Sequence, residues 1–307
     1  MTILKKLSIA LVFAIVSTGL FVACAPEEAA EAEADGVQER GDISVAYVEW
    51  DREPAHTHLA AEILSRVGYD VRNNSVSNAA MWSAVASDDV DFHVSAWLPA
   101  THRNEWNEYG DSVEDLGAHF EGARLGLVVP AYLENINSIA DLAENAEMFD
   151  NTIVGIDPGA GMMQATEDAI ANDTYGLSVM ELLEGSDATM MGALQDAIRN
   201  EEAIVVTGWD PHIKFARFDL KLLEDPEEVF GSAETINTIV RGDLKEDEPE
   251  LYEFLNTMDW MAINDHINEV MVLASEGMRH EVAAAQVVDE NFEEINSALT
   301  AGFRMQQ

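Results

Sequence analysis

The chain has 307 residues, 48% of them apolar, and a formal charge of −42 from 58 Asp+Glu against 16 Lys+Arg. That length is enough for two packed lobes, and the charge excludes nucleic acid as a partner, since no basic patch is present to neutralise phosphate. A single cysteine excludes a disulfide within the chain.

The first 23 residues read as a secretory leader. Lys5 and Lys6 form its basic start, and Leu7–Val22 is an apolar stretch of 16 residues, short of the roughly 20 that a membrane span needs. Cys24 follows Ala23 at the end of this stretch. Residues 24–41 carry an Ala- and Glu-rich run without apolar periodicity, which cannot bury enough surface to offset its ordering entropy, so they are expected to be an acidic tether. Loss of the leader removes two lysines and leaves the mature chain more acidic still. The acidic residues are spread along the whole body. Self-repulsion at that density opposes compaction in dilute salt, and screening lengths of about 3 Å at 1 M salt remove most of the penalty. The composition therefore points to a saline medium.

The body alternates strand-like and helix-like segments, which predicts an α/β fold with mostly parallel sheets. Ile43–Val48 reads as a strand and Ala55–Val67 as a helix with Leu59, Ile63, Leu64 and Val67 on one face. A strand at Tyr69–Val76, a helix from Asn78 to about Ala86, and strands at Asp91–Ala96 and Arg124–Val129 follow. Ser138 and Asp141 have the spacing of a capping box. A second set of units comprises strands at Thr152–Ile156 and Ala203–Thr207 and helices at about 160–172 and 187–200. Past Arg241 the pattern is mainly helical. Two strand-like crossings, Arg124–Val129 and Thr235–Arg241, bracket the second set. They predict one lobe from residues 42–126 and 241–307, with a second lobe, 127–240, inserted between two connections.

Trp50, Trp97 and Trp209 each close an apolar strand-like run beside turn-forming residues. The ends of parallel strands are where open α/β sheets bind ligands. Three converging rings would make a box of π-faces suited to a cation with no N–H to donate, such as a quaternary ammonium. Trp82, Trp106 and Trp260 lie in helix-like segments and are expected to be structural. Asp51 and Asp210, directly after cage tryptophans, are expected to cap the helices that follow. No metal-ligand spacing, nucleophile elbow, P-loop or dinucleotide fingerprint is present, so no catalytic residue, metal or cofactor is expected.

The segments AYVEWD (46–51), SAWLPATH (95–102), GIDPGAGMM (155–163), VTGWDPH (206–212) and INTIVR (236–241) resemble the substrate-binding proteins of glycine betaine ABC importers. The resemblance implies a two-lobed periplasmic-binding-protein fold of type II with a two-strand hinge. It implies that Trp50, Trp97 and Trp209 hold the trimethylammonium group, while His102 and the amides of Gly161 and Met162 hold the carboxylate. His212 would orient the loop after Trp209. Phe21–Cys24 is similar to a bacterial lipobox, which makes Cys24 a lipidation site and the protein an extracytoplasmic, membrane-anchored receptor. The expected function is capture of glycine betaine or a close betaine by a monomeric receptor, with delivery to an ABC permease for osmoprotection. A receptor for choline, carnitine or proline betaine, or a sensory binding protein, is the alternative.

Overall fold

The computed structural model describes residues 39–306, so the leader, Cys24 and most of the tether lie outside the described residues. In chain order the first half of the body runs β1 (Gly41–Tyr47), α1 (Arg52–Arg66), β2 (Tyr69–Ser75), α2 (Asn78–Ala86), β3 (Phe92–Leu98), α3 (Arg103–Tyr109) and β4 (Val113–Pro130). Next come β5 (Thr152–Val154), α4 (Gly161–Ala171), β6 (Glu181–Leu183), α5 (Asp187–Asn200), β7 (Val206–Asp210), α6 (Ile213–Arg217), β8 (Leu220–Leu222) and β9 (Glu234–Arg241). Five α-helices follow, α7 (Leu244–Asp247), α8 (Pro249–Thr257), α9 (Asn264–Ser275), α10 (His280–Glu290) and α11 (Phe292–Ala298), and a 3₁₀ turn at Ala301–Phe303 comes after them.

The strands join in the order β2-β1-β3-β9-β4-β7-β5-β6, with β8 added to β4. Both outer parts are parallel: β1 with β2 and β3, and β5 with β6 and β7. The middle is antiparallel, because β4 and β9 are the strands by which the chain passes between the halves. β4 is 18 residues long. Its Val113–Ala123 portion pairs with β9, and Arg124–Val128 pairs with β7 in the other half. β9 pairs from Glu234 to Arg241 with β3 and that first portion of β4. Its residues thus belong to the sheet half of β1–β3, and the return passage falls just before Glu234. The architecture is a two-lobed α/β arrangement, a parallel set of strands at each end of the sheet order joined by the antiparallel β4 and β9.

Burial follows the periodicity that builds each element. On α1, Leu59, Ile63 and Leu64 are fully buried against β1–β3 and the C-terminal helices, with Val287 and Val288 of α10 among the neighbours in that core. The second core takes one face of α2, the strands of the other half and all three tryptophans, Trp50, Trp97 and Trp209. Ser138 and Asp141 do form a reciprocal capping box, opening a 3₁₀ turn at Ile139–Asp141 instead of a long helix. Among the described residues no helix is long and apolar enough to cross a membrane.

Candidate functional site

The three tryptophans reach one cavity from three separate strand ends. Trp97 and Trp209 are the next-to-last residues of β3 and β7, and Trp50 stands in the turn three residues beyond β1. That turn is held from within. The Trp50 N–H donates to the Val48 carbonyl, the Glu53 N–H donates to the Trp50 carbonyl, and the Glu53 carboxyl accepts the Val48 N–H at 3.0 Å. The Trp50 indole N–H donates to Asp157 at 3.1 Å, a contact between the two halves.

The loop after Trp97 is pinned by Glu234, whose carboxylate accepts the N–H groups of Ala100 and Thr101 and the Thr101 hydroxyl. It delivers His102 to the cavity wall. His102 Nδ1 accepts the Trp97 N–H at 3.1 Å, so in the neutral ring the proton sits on Nε2. Burial holds the ring at about 4, well below the usual histidine range, which keeps it neutral near pH 7. Its Nε2 is buried and has no hydrogen-bond partner among the described residues. Opposite, Gly161 and Met162 are the first two residues of α4. Their N–H groups have no carbonyl one turn back in the helix to accept them, so they are free to bond an anion.

Trp50, Trp97, Trp209, His102, Gly161 and Met162 all line the same cavity, which holds about 560 Å³ of empty space with its open mouth included. The structure thus brings together every site residue singled out from the sequence, Cys24 excepted. It adds a polar wall that sequence reasoning missed: Arg52, Glu53, His56, Ser95 and His119. Arg52 is buried, with its guanidinium nitrogens on Asn264 and Asn268. Burial pushes the Glu53 carboxyl up to about 8, so it stays largely protonated near pH 7.

Two expectations are corrected. Asp51 occupies the N-cap position of α1 but makes no side-chain capping bond; its carboxylate accepts the Ile213 N–H at 2.6 Å instead. Asp210 lies 3.4 Å from Arg124 at the surface, and His212, not Asp210, caps α6 by accepting the Lys214 N–H. No group of three His, Cys, Asp or Glu among the described residues could hold a metal ion.

Residues 41–290 match the family model described as the substrate binding domain of ABC-type glycine betaine transport systems. The glycine betaine/carnitine transport binding protein GbuC of Listeria monocytogenes is 43% identical over 145 residues, 47% of this chain and 48% of the relative. The match thus spans about half the length of that curated relative. Lactococcal OpuAC in its closed form with glycine betaine superposes at a TM-score of 0.79 with 38% identity, covering 85% of this chain and all of the other. The glycine betaine/L-proline-binding protein ProX of Borrelia burgdorferi gives 0.80 and 31%, covering 86% and 98%. A choline-binding protein in complex with choline gives 0.77 and 25%, covering 84% and 91%. These are solute-binding proteins and not enzymes, and the chain belongs to their family, the substrate-binding domains of ABC-type glycine betaine transport systems.

Proposed function

We propose that the protein is an extracytoplasmic receptor that captures glycine betaine, or a close betaine, and delivers it to an ABC permease for osmoprotection. In this reading Cys24 carries the lipid anchor, residues 25–41 are the leash, and the monomeric body closes its lobes around the ligand. The lobes, expected from the sequence at 42–126 with 241–307 and at 127–240, divide in this proposal within β4 and just before β9, because β9 pairs with β3. Trp50, Trp97 and Trp209 hold the trimethylammonium group, with cation–π contacts of about 0.5–2 kcal/mol each in a desolvated site. His102 Nε2–H and the amides of Gly161 and Met162 hold the carboxylate.

The observation that supports this best is the unpartnered His102 Nε2 in the cavity that the three tryptophans line. A buried donor left unsatisfied costs stability, and an anionic group attached to the caged cation would satisfy it. Choline is the main rival ligand, since one structural relative binds it. It has no carboxylate, so His102 and the two amides would be idle.

Calorimetric titration of the mature protein in about 1 M salt, where its charges are screened, tests the reading. Saturable binding of glycine betaine with weak or absent choline binding is expected. Choline bound as tightly as betaine would remove the carboxylate roles, and binding of neither would overturn the ligand assignment.

A further inference from the structure

Behind the cavity, Trp209 is clamped by residues outside the described lining. The His212 ring packs edge-on against it, centroids 4.5 Å apart, and the Lys214 ammonium stands 4.3 Å from its ring centre. Both residues are buried. His212 Nδ1 accepts the Lys214 N–H at 2.9 Å, which leaves Nε2 as the donor to Asp187 at 3.0 Å. Lys214 Nζ donates to the Thr207 carbonyl at 3.2 Å. All of these belong to the half of the molecule that carries β5–β7.

Asp51 reaches this assembly from the other half. It follows Trp50 directly and is tied at two points. Its N–H donates to Asp187 at 3.0 Å, the same carboxylate that holds His212. Its own carboxylate accepts the N–H of Ile213, the residue between His212 and Lys214. A carboxylate accepting a backbone N–H at 2.6 Å makes a charge-assisted bond, stronger than its neutral counterpart. The N-cap position would ordinarily spend this side chain on α1, so its diversion across the cleft is the informative feature. From Trp50 one peptide bond leads to Asp51, and hydrogen bonds lead on through Asp187 to the His212 ring and through Ile213 to the backbone that carries Lys214.

We propose that Asp51 is a positioning residue for the aromatic cavity: it fixes the separation of Trp50 and Trp209 when the halves meet, and so grades quaternary ammonium ligands by the size of the cationic head. The inference rests on the betaine reading above. Cation–π attraction falls off as the ring recedes from the charge, so a wall free to move loses affinity for the fitting head and tolerates a larger one.

The test compares wild type, Asp51→Asn and Asp51→Ala, each titrated with glycine betaine and with its homologue bearing three N-ethyl groups. Asp51→Asn keeps an oxygen for the Ile213 N–H and is expected to stay within about threefold of wild type. Asp51→Ala is expected to bind glycine betaine about tenfold more weakly and to prefer it less over the triethyl homologue. In a Trp209→Ala background, Asp51→Ala should add little, because the wall it positions is gone. Asp51→Ala with wild-type affinity and size preference, Asp51→Asn as damaging as Asp51→Ala, or an undiminished loss in the Trp209→Ala background would each overturn the proposal. Amide exchange at Ile213, followed with saturating glycine betaine so that the halves are together, is expected to be faster in Asp51→Ala than in wild type; unchanged exchange overturns the tie itself. Wild type binding neither compound would overturn the betaine reading and the size grading with it.

Discussion

His102 and Trp97 are joined twice: the His102 N–H donates to the Trp97 carbonyl at 3.0 Å, and the Trp97 N–H donates to His102 Nδ1 at 3.1 Å. The second bond makes Nδ1 the acceptor and so leaves the proton of the neutral ring on Nε2. In the betaine reading this makes His102 a donor with little reorganisation left to do on binding. Replacing it by phenylalanine preserves an aromatic ring and removes the donor. His102→Phe is therefore expected to weaken glycine betaine binding by about tenfold or more, as for a lost hydrogen bond to a charged group. Choline, with no carboxylate, should bind equally well before and after. Calorimetric titration of both ligands checks this, and an equal loss for both would assign His102 to shaping the cavity.

Gly161 is constrained by the opposite half of the molecule. A Cβ at this position would lie 2.2 Å from the Thr101 backbone oxygen, whereas one at Gly159 would meet nothing within 4 Å. Neither glycine needs a left-handed backbone. In the proposed reading the Gly161→Ala clash is with a segment of the other lobe, Thr101, that the open, ligand-free protein does not press against it. That variant is expected to lose at least about tenfold in betaine affinity, consistent with the 1–3 kcal/mol cost of overpacking. Its ligand-free melting temperature should stay close to wild type. Gly159→Ala is the control and should match wild type in both measurements.

The tryptophans stand out in the sequence by their setting at strand ends, and His102, Gly161 and Met162 only through the family resemblance of the motifs that carry them; all six line one cavity. The polar wall had no such signal. Arg52, Glu53 and His56 sit in the first turns of α1 on a face that also carries Leu59, and nothing in their spacing separates a cavity wall from ordinary core. The start of β4 was missed for a different reason. Val113–Ala123 contains Gly117, Gly122 and several acids, all poor strand formers, and the strand persists because β9 pairs with it through three register shifts. Asp51 shows the limit most sharply. Its local context points to a helix cap, and the partners that redirect it, Asp187 and Ile213, lie 136 and 162 residues away.

Acid should destabilise the fold through its buried histidines. His93 is fully buried, accepts the Ser95 N–H at 3.2 Å, and is held at about 3 by burial, with His102 and His119 nearby adding to the shift. The unfolded chain protonates such a ring near pH 6.5, so below that pH the unfolded state binds the extra proton and stability falls as pH falls. The loss continues until the folded ring titrates too. Glu53 acts in the opposite sense over about pH 4.5 to 8, because its raised folded value keeps a proton that the unfolded chain releases. A variant isolates one group from this sum. His93→Asn retains an acceptor for Ser95 and does not titrate, so between about pH 7 and pH 5 it should lose about 2 kcal/mol less than wild type. Urea unfolding at the two pH values measures the difference, and parallel losses would show that His93 does not titrate on unfolding.

The charge balance makes salt the last control on the fold. With 16 Lys+Arg against 58 Asp+Glu, most carboxylates have no cation to pair with, and a single buried cation can serve several acids at once. Arg241 is the example: its guanidinium engages Asp91, Asp243 and Asp247 from the end of β9. Hydrogen bonds raise the Arg241 pKa further against the penalty of burial, so this group stays charged throughout the working range. The remaining acids repel one another across distances comparable with the screening length of about 10 Å at 0.1 M salt, and much less at 1 M, where that length is about 3 Å. The melting temperature of the ligand-free protein is therefore expected to rise between these two conditions. Potassium chloride is the salt to use, because sulfate would also strengthen apolar burial and hide the electrostatic part. Arg241→Gln should lower the melting temperature at both concentrations, and by more in dilute salt, where the three carboxylates it leaves behind are least screened. A melting temperature that is flat or falls with potassium chloride would mean that self-repulsion does not limit this fold.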